Sequence, residues 1–265
     1  MKKRVLSAFM ALALCLTLLP APALAEETEN NIAAQANTAN VAEVTIDGTT
    51  TQDTNIVNAF ADAQEAESAS VKLLTNVTIP KDDHDYSYGI QLTGGNITLD
   101  LNGCTIQTTG GASSFAPLNA VFYINDGSSL TVQDSGTVGK IVQPNGGQAI
   151  GVSNGNLTVK SGIIEVTSDS AGADNATTQN CAVFVRGSGV ADIQGGTLIG
   201  NRGIYIGGKL GGGTLNVSGG TIHGKSSYAL WVVGGSAALS GGAYTTGVEN
   251  GCSIYNSADT AAVLL

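Results

Sequence analysis

Charge is scarce in this chain. Only 12% of its 265 residues are Asp, Glu, Lys or Arg, and the balance is acidic, 21 against 11. That excludes a cationic surface for nucleic acid or anionic lipid, since both contacts rest on clustered Lys and Arg. Proline is sparse, at 5 residues, as are aromatic residues, at 5%. Beyond residue 25 no apolar run approaches the ~20 residues of a membrane-crossing helix. The sequence shows no zinc-ligand spacing, no Gly-Lys-Ser/Thr phosphate loop, no regular aspartates of calcium-binding nonapeptide repeats and no nucleophile triad. No cofactor and no metal is expected. A hydrophobic content of 42% nevertheless argues for a packed protein rather than a disordered one.

What the chain does have begins with a secretory signal over residues 1–25. Lys2, Lys3 and Arg4 form its charged start, Ser7–Leu19 its apolar run, and the segment through Ala25 its small-residue end. Cys15 follows the bulky Leu14 inside the apolar run, which favours cleavage after Ala25 over lipid attachment at Cys15. The expected location is secreted or cell-surface. Removing the signal takes three basic residues, leaving 21 acidic against eight basic ones and a net charge of −13. Such a charge keeps an extracellular protein soluble. Three cysteines remain, Cys104, Cys181 and Cys252, an odd number that cannot all pair within one chain.

Residues 26–41 read as a flexible polar leader and 42–265 as one domain. Ala42–Asp47 alternates like a strand and ends on an Asp47-Gly48 turn signal. Over Asn55–Ser68 the period changes. Ile56, Ala59, Phe60 and Ala63 recur at helical spacing, with Thr54 or Asn55 available to cap the start. Ser70–Ile79 returns to strand chemistry. Asn96–Ile106 then reads NITLDLNGCTI, with Leu99 and Leu101 inward and Asp100 outward.

From there one phrase repeats: a short alternating strand, a Gly-containing corner, a second strand, a gap and a third strand. The corners are Asn102-Gly103, Ser135-Gly136, Ser161-Gly162, Gly195-Gly196, Gly219-Gly220 and Gly241-Gly242. The steps between their second residues are 33, 26, 34, 24 and 22. A unit of this size signals an array whose stacked repeats share one core. The pairs Leu157/Val159, Ile204/Ile206, Leu215/Val217 and Leu230/Val232 are the expected inward residues. The two longer steps imply protruding loops at Thr108–Asn119 and Ser168–Asn180. In an array Cys181 and Cys252 stand three rungs apart, about 14 Å at ~4.8 Å per rung. A disulfide needs Cα atoms within about 7 Å, so these two are expected to be unbonded, small buried thiols. Ala261–Leu265 reads as the first strand of a further rung, so the domain is expected to continue into a longer protein.

The NITLDLNGCTI segment, the recurring L-x-V-x-G-G-x-I phrase and the leading helix together resemble a right-handed, single-stranded parallel β-helix of the pectate-lyase-like superfamily. More narrowly, the chain is similar to secreted surface β-helix proteins of Gram-positive bacteria described as carbohydrate-binding or adhesin-like. The resemblance covers roughly residues 42–265. It implies an all-β solenoid with an N-terminal capping helix and a polysaccharide or host-cell glycan as partner.

If the third strands are in register, Tyr123, Gly151, Phe184, Tyr205 and Trp231 share one outward position on successive rungs. Spaced rings suit the C–H face of a pyranose, and Trp and Tyr add polar tips. The same column can instead be a stacking ladder. Tyr123, Phe184, Tyr205 and Trp231 are the candidate ligand-binding residues. Catalysis by a lyase or glycosidase needs clustered carboxylates. Asp100, Asp134 and Asp192 fall on different rungs, and Thr158 and Asn216 stand where the neighbours of Asp192 would have to be acidic. Asp82-Asp83-His84-Asp85 reads as a solvated loop, because adjacent residues rarely converge on one ion. His223 reads as a surface histidine, and Gly207–Gly213 as a flexible bridge between rungs. The expectation is a non-catalytic glycan-binding or adhesive protein. A polysaccharide lyase or glycoside hydrolase of the same class, or a structural stalk, are the alternatives.

Overall fold

A computed structural model describes residues 39–81, 88–109, 119–144, 146–168, 180–208, 211–257 and 262–264. The signal at 1–25, the Asp82–Asp85 motif and most of the leader and of both long loops lie outside these residues. Among the described residues the strands form three sheets, of ten, seven and seven strands. The chain visits the sheets in rotation. One coil is Asn96–Asp100, Thr105–Thr108 and Ala120–Ile124, and a later one is Val190–Ile193, Thr197–Gly200 and Arg202–Ile206. From Ser68–Leu73 onward each strand pairs in parallel with its counterpart one coil on, as Asn156–Val159 does with Val190–Ile193, whereas Ala42–Ile46 runs antiparallel to Ser68–Leu73. The result is an all-β parallel solenoid of β-helix type.

Register makes the core. In the first sheet Leu99 sits beside Val132, then Val159, Ile193, Val217 and Leu239. In the second sheet Ile106 leads to Ile141, Ile164, Leu198 and Ile222. In the third Phe122 leads to Ile150, Val183, Ile204 and Leu230. All of these side chains are buried in one cluster. Each contributes about 1.5–3 kcal/mol by leaving water, but only once a neighbouring coil covers it. The four expected inward pairs are all buried.

The corner glycines lie one above another along an edge. Thr197, Thr221 and Ala243 donate their N–H groups to the carbonyls of Gly162, Gly196 and Gly220, each at 2.9 Å. The opposite corner, between the second and third sheets, is polar and buried. Thr108 Oγ1 donates to Gln143 Oε1 at 2.7 Å, and Gln143 Nε2 donates to Asn119 Oδ1 at 2.9 Å. Asn119 Nδ2 donates to the Gly146 carbonyl, and Gly147 N–H donates to Asn180 Oδ1, both at 2.8 Å. These bonds satisfy amides that would otherwise be stranded away from water.

Helix α1 (Ile56–Glu65) starts at Asn55, whose side-chain oxygen accepts from Val57 N–H at 2.9 Å. Its buried face is Ile56, Ala59, Phe60 and Ala63, as the spacing predicts. The Phe60 ring meets Phe122 edge-on at 5.2 Å, and Gln64 Oε1 accepts from Thr93 N–H at 2.8 Å. Among the described residues no helix is long and apolar enough to cross a membrane.

Four sequence expectations change. The leader stops short of Val41, which is buried and bonded to Asp53 and Leu74. Ser70–Ile79 is two strands, Ser68–Leu73 and Val77–Ile79, because the chain turns a corner between them. A further strand, Thr49–Asp53, closes an antiparallel hairpin with Ala42–Ile46 at the sheet edge. The glycine run is pinned, not free. Gly207 N–H bonds the Val185 carbonyl at 2.9 Å, Gly187 N–H bonds that of Gly211 at 3.3 Å, and Gly212 bridges to Arg186. Lys209 and Leu210 of that run lie outside the described residues.

Candidate functional site: an aromatic column on the third sheet

Parallel pairing places equivalent residues side by side, so an outward ring on one coil faces an outward ring on the next. The column is in register: Tyr123 with Gly151, Gly151 with Phe184, Phe184 with Tyr205, and Tyr205 with Trp231. It extends one coil further to Tyr255, a residue that the matching phrases LWV and IYN make readable. Phe184 and Tyr205 are tilted at 5.3 Å, and Tyr205 meets Trp231 edge-on at 5.4 Å. Off the column, Tyr228 stacks on Tyr255 at 4.6 Å and touches Trp231 at 5.8 Å. These spacings fall within the favourable range for ring pairs.

Both arginines of the domain converge here from non-equivalent positions. Arg202 places its guanidinium 4.3 Å from the Trp231 ring centre, a desolvated cation–π contact. The Arg186 guanidinium lies 5.6 Å from the Tyr123 ring and 5.5 Å from Phe184. It also donates to the Tyr123 hydroxyl at 2.7 Å. Glycine at 151 puts no side chain on the intervening rung, and the Tyr123 ring and the Gln148 amide close over it. A methyl group there would come 3.0 Å from the Tyr123 ring. Tyr88 lies flat on Tyr123 at 3.9 Å.

The column is closed at one end and open at the other. Tyr123, Phe184 and Tyr205 are 6%, 2% and 4% exposed. Tyr88 covers the first of them, and the backbone of Gly208 passes beside the second. Trp231 and Tyr228 are half-buried, and Tyr255 is 38% exposed. Burial raises the Tyr205 hydroxyl above the usual phenol range, against the opposing charge of Arg202. At the closed end burial also opposes ionisation of Tyr123, but hydrogen bonds from Ser153 and Arg186 outweigh it and lower the phenol. Tyr88, half-buried against it, is raised by that burial.

Cys181 packs against Phe184 and Tyr205 in the same cluster. Burial pushes its thiol up to about 12. Cys252, expected buried, is exposed in the turn before Ile254–Asn256, while Cys104 is half-buried. All three are free. Alkylation follows the thiolate and its access. Brief iodoacetamide treatment of the folded protein is expected to label Cys252 and leave Cys181 intact until denaturant is added. Peptide mapping that finds Cys181 labelled at the rate of Cys252 would refute the packing described.

The acidic residues serve elsewhere. Asp100 Oδ1 accepts from Asn102 and Ser135 N–H groups, both at 2.9 Å. Burial raises the Asp100 carboxyl, but these donors and the nearby Lys72 charge outweigh it and hold the group below its usual range. Asp134 binds the N–H groups of Gly103 and Gly139 at 2.7 and 2.6 Å, bracing its corner. It also lines a shallow cleft with Ser161 and Thr197. Asp192 accepts from Gln194 at 2.7 Å and has Thr158 and Asn216 as rung neighbours. His223 is hydrogen-bonded to Thr245 at 2.9 Å. Among the described residues no three His, Cys, Asp or Glu side chains gather as a metal site requires.

No family model matches this chain, and no curated protein or solved structure compared with it does.

Proposed function

We propose that this is a secreted or cell-surface, non-catalytic protein that binds glycan on the outer face of its third sheet. We further propose that its solenoid is a right-handed parallel β-helix of the pectate-lyase-like kind, with helix α1 as its end cap. The observation that carries the glycan reading is the open end of the aromatic column. Trp231, Tyr228 and Tyr255 present ring surface on a rigid scaffold, beside hydroxyls and the Trp231 N–H that bonds Ser257 at 2.9 Å. Rings held by stacked coils lose little freedom on binding, which favours ligand stacking. A compact apolar–polar mixed patch of this kind is what a sugar, with its C–H face and hydroxyl edge, complements.

A glycan array probed with the domain tests the proposal. Trp231→Ala is expected to lower binding to the captured glycan by at least about tenfold, the scale of one lost aromatic contact. Tyr123→Phe, at the closed end, is expected to bind like the parent. Capture of no glycan, or equal binding by Trp231→Ala, would overturn the assignment.

A further inference from the structure

We infer that the open end of the column takes a short, neutral saccharide of one or two rings, and not an extended or acidic chain; this rests on the glycan reading above. Length follows from exposure. A ligand running along the solenoid would need rings on several coils, but Tyr123, Phe184 and Tyr205 are 6%, 2% and 4% exposed. Ring surface opens at Trp231, on the last coil but one of the described column, and at Tyr228 and Tyr255 beside it; Tyr88 is half-buried as well, but it stacks on Tyr123, four rungs from Trp231 with buried Phe184 and Tyr205 between. The Trp231 and Tyr255 centres are 6.0 Å apart with planes tilted by 49°. Two tilted rings at that separation make a corner for one sugar and its neighbour, not a flat track. The buried rings upstream then act as the foundation of the corner: Tyr205 meets Trp231 edge-on and fixes the plane of the indole.

Neutrality follows from charge. The guanidinium nearest the corner belongs to Arg202, which is 8% exposed and turned onto the Trp231 ring at 4.3 Å. A cation so placed is committed to the indole and has little surface left for a ligand carboxylate. The domain around it, residues 42–265, carries 18 acidic against eight basic residues, a net charge of −10. An anionic glycan approaching this corner meets that net negative charge, while the guanidinium stacked on the Trp231 indole is already engaged.

Calorimetric titration of the intact domain with cello-, manno- and chito-oligosaccharides from one to six units, and with oligogalacturonates of equal length, tests the inference. The expected result is that a neutral series binds, gains affinity to the disaccharide and then stays level within about twofold. Acidic oligomers are expected to bind at least about tenfold more weakly. Tyr255→Ala, at an exposed position where truncation leaves the core untouched, is expected to weaken the neutral disaccharide about tenfold with an unchanged far-ultraviolet spectrum. Affinity that climbs with each added sugar, or tighter binding of the acidic series, overturns the inference while leaving glycan binding in place. Binding by no oligosaccharide, together with an empty glycan array, overturns both.

Discussion

Gly220→Val is expected to destabilise the solenoid by about 3–5 kcal/mol, at the severe end for a single substitution. Two causes act together. Gly220 has φ +85°, a conformation that a β-branched residue adopts only under strain. A side chain there would also meet the carbonyl oxygens of Gly195 and Gly196 at 2.8 and 2.9 Å. Relief requires neighbouring coils to separate, which breaks the 2.9 Å bonds from Thr221 to Gly196 and from Ala243 to Gly220. Gly48→Ala isolates the first cause, because Gly48 has φ +77° with open space around it; it should cost only about 1–2 kcal/mol. Gly219→Ala isolates the second, since Gly219 is outside the left-handed region but a methyl group would run into the Gln194 carbonyl. Thermal melts rank the three variants. Because coils interact only with neighbours, hydrogen exchange should quicken first over Thr214–Asn256 while the coils before Val166 stay protected. A Gly220→Val protein melting with the parent would contradict the close coil contact.

That pair of glycines explains why the fold could be read from the chain. Each Gly-Gly doublet answers two separate demands: the first residue sits against the coil below, and the second turns the backbone. The demand recurs at 195–196, 219–220 and 241–242, so it leaves a periodic mark in the sequence. The inward columns leave another, since every second strand residue must be apolar. The hairpin strand Thr49–Asp53 left none. It is polar and exposed along nearly its whole length, and pairing through backbone bonds alone writes no pattern. The buried Thr108, Gln143, Asn119 and Asn180 bonds were equally silent, because loops of unequal length separate their members.

The site was half legible for the same reason. Register on a periodic scaffold predicts that Tyr123, Phe184, Tyr205 and Trp231 align, and the gap at Gly151 is visible by position. Whether a ring is covered depends on segments outside the repeat: Tyr88 over Tyr123, and the glycine run beside Phe184. Arg186 reaches Tyr123 across 63 positions of sequence, a contact that only the stacking of coils creates. Exposure, not register, decides where a ligand can sit, and it moved the accessible surface toward Trp231 and Tyr255.

Phe60→Ala is expected to release helix α1 from the sheets at a cost of about 3–5 kcal/mol. Of the four buried helix residues, Ala59 and Ala63 offer one methyl group each, so Phe60 and Ile56 carry most of the apolar contact. A helix of 10 residues is marginal in water without tertiary packing. Once the Phe60 ring is gone, the edge contact with Phe122 goes with it, and Phe122 on the third sheet loses its cover. Asn55→Ala supplies the scale: it removes one capping bond and should cost only about 1 kcal/mol. Hydrogen exchange is expected to collapse over Ile56–Glu65 in Phe60→Ala and to remain slow in the coils after Asn156. If the helix closes the apolar end of the array, the same variant should also bind a hydrophobic dye and sediment as larger species as concentration rises. A variant that loses helix protection yet stays monomeric and dye-free would show that the first coil hides its own end, with the hairpin Ala42–Asp53 doing the covering.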